Sequence, residues 1–249
     1  MRSFEKGRTQ PGRQPLLPAA TLVLLRDDPE GLRVLLLRRH RRLAFHGGAW
    51  VFPGGRIEPA DWAAGKPDLL AAARRAAVRE TREEAGLSLL PAACVPLSRW
   101  TTPRGLRRRF VTWFFAARVA RDALVRIDGR EIVDSRWLTP AAALDARQAG
   151  LLALPPPTFV TLWELSGWGD AQTALAHLAA RPLPRFSPRP CTAGDVPILI
   201  FRGDAACGGG PLEGPGPRHR LVMCAEGWRC NRPPARPPRS PRARPRRDL

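Results

Sequence analysis

The sequence predicts a mixed α/β or α+β domain, and three observations carry that expectation. Short, strongly apolar runs open it, "ATLVLLRD" at 20–27 and "LRVLLLRR" at 32–39, with the turn-forming "DPEG" between them, the pattern of a β-hairpin. From Asp68 to Ala85 the chain is rich in Ala, Leu, Arg and Glu and free of Gly and Pro, a helical composition that Gly86 terminates. Aromatic and β-branched runs follow, and then more helical stretches, so strands come first and between helices.

Taken in order, residues 1–18 are polar with three prolines and are expected to be a flexible lead-in. After the hairpin, "GGAWVFPGGRIEP" (47–59) reads as a short strand interrupted by a glycine loop, and the helix 68–85 comes next. "CVPLSRW" (94–100), "RRFVTWFFAARV" (108–119) and "EIVDSRWLT" (131–139) have strand composition. Helices are expected over Pro140–Ala149, Thr158–Leu165 and Asp170–Ala180, separated by Gly150, the triple proline 155–157 and "SGWG". The domain is therefore placed at 19–190. An extension at 191–230 holds two candidate late strands, "VPILIF" and "RLVMCAEGWRC", joined through the flexible "GGGPLEGPGP". A Pro/Arg tail, 231–249, is expected to be disordered.

Composition sets outer bounds. With 249 residues, 44% of them hydrophobic, the chain can form one sizeable domain that buries roughly three-quarters of its unfolded surface. No apolar run approaches the roughly 18 residues of a membrane span, and the charged N-terminus has no apolar core for a signal peptide, so a cytoplasmic location is expected. Five cysteines, with no C-x-x-C pair, point to free thiols rather than a disulfide framework or zinc site. Of 41 basic residues only Lys6 and Lys66 are lysine, and the other 39 are arginine. The net charge of +19 attracts phosphate-bearing ligands without saying which.

Against that charge, "RAAVRETREEAGL" (75–87) concentrates Glu80, Glu83 and Glu84. Positions i, i+3 and i+4 share a helix face, so the three carboxylates project together and repel unless a cation sits among them. Arg79, four residues before Glu83, offsets part of that charge, and Mg²⁺ or Mn²⁺, which favour clustered carboxylate oxygens, would offset the rest. Ala72, Ala73 and Ala76 are small enough for another backbone to approach, and the "PGG" loop, Pro53–Gly55, is the candidate for it. Taken alone, "RETREE" also fits an exposed helix laced with i,i+4 ion pairs.

"WVFPGG" followed by "RETREEAGL" resembles the signature box of the Nudix hydrolase superfamily, with Arg79, Glu80, Glu83, Glu84, Gly86 and Leu87 at matching positions. The resemblance implies a Nudix-like α/β/α sandwich with a mixed central sheet and extra C-terminal helices. It also implies that Glu80, Glu83 and Glu84 bind metal, that the Gly54 carbonyl joins them, and that Arg79 orients the glutamates. Two departures stand out: Thr81 replaces a usually aliphatic residue, and about ten residues, 62–71, are inserted after Asp61, which takes the place of the box's earlier glutamate. A long insert there, then "WTTP" (100–103) and "RRFVTWFFAA" (108–117), is similar to the branch that contains the coenzyme A diphosphatases.

That resemblance implies metal-dependent hydrolysis of a nucleoside diphosphate linked to another moiety, with coenzyme A or acyl-coenzyme A as the suggested substrate. Candidates for the catalytic base are Glu83, Glu84 and Glu131 of "DGREI", the last equally readable as an exposed turn residue. Arg104, Arg108 and Arg109, beside Arg107 in "PRGLRRRF", are candidates for binding substrate phosphates, or simply a solvated basic face. His40 and His46 read as surface groups, and most tryptophans as packing residues. The competing classes are a basic nucleic-acid-binding protein and a non-catalytic nucleotide-binding Nudix fold. No helix-turn-helix, zinc-finger or RNA-binding aromatic signature accompanies the charge. Oligomeric state is left open.

Overall fold

A computed structural model describes residues 15–63 and 68–232. The expectations for 1–14, for 64–67 in the insert and for 233–249 in the tail fall outside the described residues.

The first strand, β1 (Leu16–Asp28), has 13 residues and starts earlier than the apolar run suggested. Its last residues form the expected hairpin with β2 (Gly31–Arg39), in register Leu25↔Val34. Its first half is held by other partners, and the pairing of Leu16–Pro18 with the strand at 109–111 is why they are strand rather than lead-in. On one side β4 (Gly54–Arg56) pairs antiparallel, Thr21↔Gly54. On the other, β6 (Arg109–Arg118) pairs parallel from Leu16↔Arg109 to Leu25↔Arg118. With β3 (Trp50–Val51), β5 (Val95–Thr101), β7 (Ile132–Leu138) and β8 (Arg185–Phe186), these make a mixed sheet of eight strands.

The period of two along β1 decides what covers each face. Leu22 and Leu24 point to one side, where Ala72, Ala73, Ala76 and Ala77 of α1 (Leu69–Ala85) pack on them. Val23 and Leu25 point to the other, into a core with Ala143, Phe159, Leu162, Leu165, Ala174 and Leu178. Those residues come from α2 (Pro140–Gln148), α3 (Pro156–Leu165) and α4 (Ala171–Ala180). The result is the expected helix, mixed sheet, helices sandwich. The alanine stripe lets α1 lie close to the sheet, Asp68 caps its start by accepting from the N–H groups of Leu70 and Ala71, and left-handed Gly86 ends it.

The late strands do not extend the main sheet. Strands β9 (Arg189–Ala193), β10 (Val196–Ile200), β11 (Arg220–Cys224) and β12 (Gly227–Cys230) form a second, antiparallel sheet. Alternation again explains its placement: Leu199, Phe201 and Leu221 join the helix-side core, while Ile198 and Ile200 face a small cluster with Ala206. Among the described residues, no helix is long and apolar enough to cross a membrane.

Candidate functional site

The helix and the glycine loop meet where β1 leaves β4 for β2. Glu84 is only 6% exposed, and its carboxylate accepts a 2.9 Å hydrogen bond from the Gly54 N–H. A Cβ on Gly54 would strike the β1 backbone at Ala20 and Thr21, so glycine is required there by close approach, and one on Gly55 would displace the Glu80 carboxylate. Burial pushes the Glu84 pKa up to about 8, a rise to which the Glu80 and Glu131 charges add and which the Gly54 N–H and Arg39 oppose. Burial also raises the Glu80 pKa, in spite of the Arg79 guanidinium.

Arg79 organises the other carboxylates. Its Nε and Nη2 donate to the two oxygens of Asp61 at 3.1 and 3.0 Å, and Nη2 also donates to the Arg56 carbonyl. Nη1 donates to Glu80 at 2.9 Å and to Glu83 at 3.2 Å. Asp61 is itself buried, in the 3-10 turn Pro59–Asp61, and holds the Glu58 N–H at 2.8 Å. The bidentate bond to Asp61, foremost, lifts the Arg79 pKa above its ordinary value. Asp61 thus occupies the place of the box's earlier glutamate and anchors the arginine despite the insert that follows.

The three helix glutamates do not converge. Glu83 is half exposed and turned to Arg79, whereas Glu84 is buried against Gly54. Among the described residues, no three acidic, histidine or cysteine side chains form a ready-made ligand set. The side chains nonetheless suit a hard divalent cation: all offer carboxylate oxygens, and among the described residues the buried one is compensated by a single N–H and a guanidinium 3.7 Å away.

That guanidinium belongs to Arg39, which sequence reasoning passed over. It lies 3.7 Å from Glu84 and 3.5 Å from Glu131, and so links Glu131 to the helix glutamates. The backbone agrees, since the His40 N–H donates to the Glu131 carbonyl at 2.7 Å. A signal for Arg39 was present, because Leu35 and Leu37 pack toward α1 and Arg39 follows them at the same period of two.

The arginines expected to bind phosphate lie elsewhere. Arg109 donates to the carbonyls of Thr102 and Pro103 and so closes the β5–β6 turn, with Arg104 and Arg108 exposed beside it. The pairings Leu16↔Arg109 and Thr21↔Gly54 separate that turn from the glycine loop by five steps along β1, roughly 16 Å. His46 keeps solvent access but is closely hemmed in, and this partial burial, with the Arg39 charge, lowers its pKa.

Comparison with known proteins bears directly on this geometry. The NUDIX domain family model matches residues 15–154, more than half of the chain, and the match includes the glycine loop, α1 and Glu131. The chain belongs to the NUDIX domain family. A Caenorhabditis elegans protein named as nudix hydrolase 7 is 28% identical over 169 residues, 54% of this chain and 56% of its own length. The acyl-coenzyme A diphosphatase NUDT19 of Xenopus laevis is 24% identical over 251 residues, 64% of this chain and 66% of that protein. The chain thus spans about half to two-thirds of the length of these relatives. The crystal structure of a NUDIX hydrolase from Alicyclobacillus acidocaldarius superposes with a TM-score of 0.60 at 24% identity, covering 69% of this chain and all of that one. This likeness concerns the fold. The matched segment contains Arg79, Glu80, Glu84 and the glycine loop, and the second sheet begins beyond it.

Proposed function

We propose that this Nudix chain is a divalent-metal-dependent diphosphatase acting on a nucleoside diphosphate linked to a second moiety. The observation that carries the reading is Glu84: a buried carboxylate with a raised pKa, next to Glu80 and pressed on a glycine loop, has little structural use and is costly without a cation. Glu80 and Glu84, with Glu83 and the Gly54 carbonyl, would hold Mg²⁺ or Mn²⁺. When bound, the metal supplies charge neutralisation at the phosphates and a lowered pKa for the attacking water.

The chain's own residues do the rest. Asp61 fixes Arg79, and Arg79 fixes Glu80 and Glu83. Water attacks one phosphorus and the bridging P–O bond breaks, which yields two phosphate monoesters and releases a proton. Glu83 and Glu131 are the solvent-reachable carboxylates at the centre, and we assign proton acceptance to one of them. Arg39 holds Glu131 toward Glu84.

Coenzyme A or acyl-coenzyme A is the substrate class we favour, on the named activity of the Xenopus relative and the long insert after Asp61. The products would be adenosine 3′,5′-bisphosphate and a 4′-phosphopantetheine. Mass spectrometry of products with Mg²⁺ or Mn²⁺ against coenzyme A, acyl-coenzyme A, NADH, ADP-ribose and diadenosine polyphosphates tests this, with Glu84→Gln as control. Metal-dependent cleavage that is lost in the variant supports the reading. Silence across the panel from folded, metal-loaded protein overturns it, and salt-dependent oligonucleotide binding would then favour the nucleic-acid alternative.

A further inference from the structure

Where β1 begins, the main sheet ends in a rim that is both apolar and basic. Leu16, Phe45 and Leu106 are 43%, 45% and 45% exposed there, three of the seven large apolar side chains that stand exposed among the described residues. We infer that this rim docks on an anionic lipid surface, with the two leucines and the phenylalanine entering the headgroup layer and the arginines of the β5–β6 turn pairing with lipid phosphates and carboxylates. The inference goes beyond the diphosphatase reading and does not depend on it.

Three separate stretches of chain build the rim. Leu16 pairs with Arg109 in the parallel β1–β6 ladder, and 103–108 is the turn that leads into Arg109. The base of that turn is braced, because the Arg109 guanidinium donates to the carbonyls of Thr102 and Pro103 and the Phe110 N–H donates to the Thr102 hydroxyl at 2.9 Å. Phe45, in the connection after β2, sets its ring 5.4 Å from that of Phe110. The apolar tips are therefore held by a firm base while they face water.

The charge around them has one sign. Arg104, Arg107 and Arg108 are exposed in the turn, and the stretches that build the rim, 15–26, 31–57 and 85–121, contain no Asp or Glu. Among the described residues, Arg104 and Arg108 form no ion pair. A second copy of the chain would bring the same charge and be repelled, and a nucleic acid would satisfy the arginines but leave the leucines in water. An anionic bilayer satisfies both, since its interface takes apolar side chains to a depth of about 5–10 Å and each basic group close to it strengthens binding by about 5-fold. Contact there also leaves the carboxylate centre open. Thr21, the partner of Gly54, is five residues along β1 from Leu16, roughly 16 Å.

The test is co-sedimentation of the full chain, at physiological ionic strength, with vesicles of phosphatidylcholine alone and with vesicles that are roughly one-third phosphatidylserine. Wild type should bind the anionic vesicles and not the neutral ones. Arg104→Glu/Arg108→Glu should weaken that binding by about 25-fold or more, two charges at about 5-fold each. Leu106→Ser should weaken it about 5–10-fold, and Leu106→Trp should keep or tighten it. The leucine variants leave the net charge at +19, so attraction by overall charge alone does not sense them. All four positions changed are exposed, and an unchanged melting temperature checks that each variant is folded. Wild type that ignores anionic vesicles, or equal binding by wild type and Leu106→Ser, overturns the inference. So does an arginine variant that loses affinity for an oligonucleotide but not for the vesicles, which would assign the turn to nucleic acid. Turnover is not read at any point, so failure of the hydrolase reading leaves this result standing.

Discussion

Asp204, in the turn after β10, and Glu84, on α1, are buried to nearly the same degree, 5% and 6% exposed. Their surroundings differ completely. Asp204 accepts two bonds from Arg220, at 2.8 and 2.7 Å, and two from the N–H groups of Ala206 and His219. The Arg220 bonds, above all, hold its pKa well below the ordinary carboxylate range. Glu84 has one N–H, a guanidinium at 3.7 Å and two acidic neighbours, and its pKa rises to about 8. A buried carboxylate supplied with four donors holds a fold together, whereas one left short of donors is, on the proposed reading, the place for a cation. The small sheet and the α1 centre are therefore read as structural and functional versions of the same group.

That contrast makes opposite predictions for the two residues. Glu84→Gln should lower turnover roughly 10³-fold, within the range lost when a proton-transfer or metal-ligating group is removed, while leaving the melting temperature of the metal-free protein unchanged or higher. Asp204→Ala should do the reverse. It strands a buried guanidinium and should cost about 3–5 kcal/mol by urea unfolding, with turnover retained by the folded fraction. If Asp204→Ala abolished turnover in folded protein, the division into structural and functional carboxylates would fail.

The pH dependence of stability separates them further. Glu84 has a folded pKa above its unfolded value, so the folded state holds its proton more tightly. The metal-free protein should then lose stability as pH rises from about 4.5 through about 8, and bound Mg²⁺ should flatten that decline. Asp204 has a depressed folded pKa. Its contribution is present above the unfolded value of about 3.9 and is lost as pH falls toward its folded pKa, which melting temperatures in strong acid would show.

How far the sequence foretold these two regions differs as well. The α1 centre was legible because helical spacing, alanine size and glycine loops act locally, and Asp61 stood at a recognisable offset from Gly55. Arg39 was missed because its importance depends on pairing between β2 and β7, distant in sequence. The second sheet was visible only as candidate strands. "VPILIF" and "RLVMCAEGWRC" show β composition, but their registers and the Asp204–Arg220 pair are set by tertiary contacts across "GGGPLEGPGP". Of the "RRRF" arginines, Arg109 is engaged with the carbonyls of Thr102 and Pro103, a use of a guanidinium that composition does not distinguish from phosphate binding.

Smaller effects probe the positioning layer. Asp61→Asn keeps the shape but removes the charge that anchors Arg79, and should lower activity roughly 10–100-fold, with partial recovery at high Mn²⁺. Thr81→Val tests the box position that departs from the family pattern. The Thr81 hydroxyl is buried and only donates back to the Ala77 carbonyl at 2.7 Å, so the change should shift stability by no more than about 0.5 kcal/mol and leave turnover intact.

The most direct test of the central claim is Mn²⁺ binding by isothermal titration calorimetry at neutral pH, on wild type and on Glu84→Gln and Asp204→Asn variants shown to be folded. The account predicts saturable binding by wild type and Asp204→Asn, and loss of that binding in Glu84→Gln. Binding that survives Glu84→Gln, or folded wild type that binds no Mn²⁺, would contradict it.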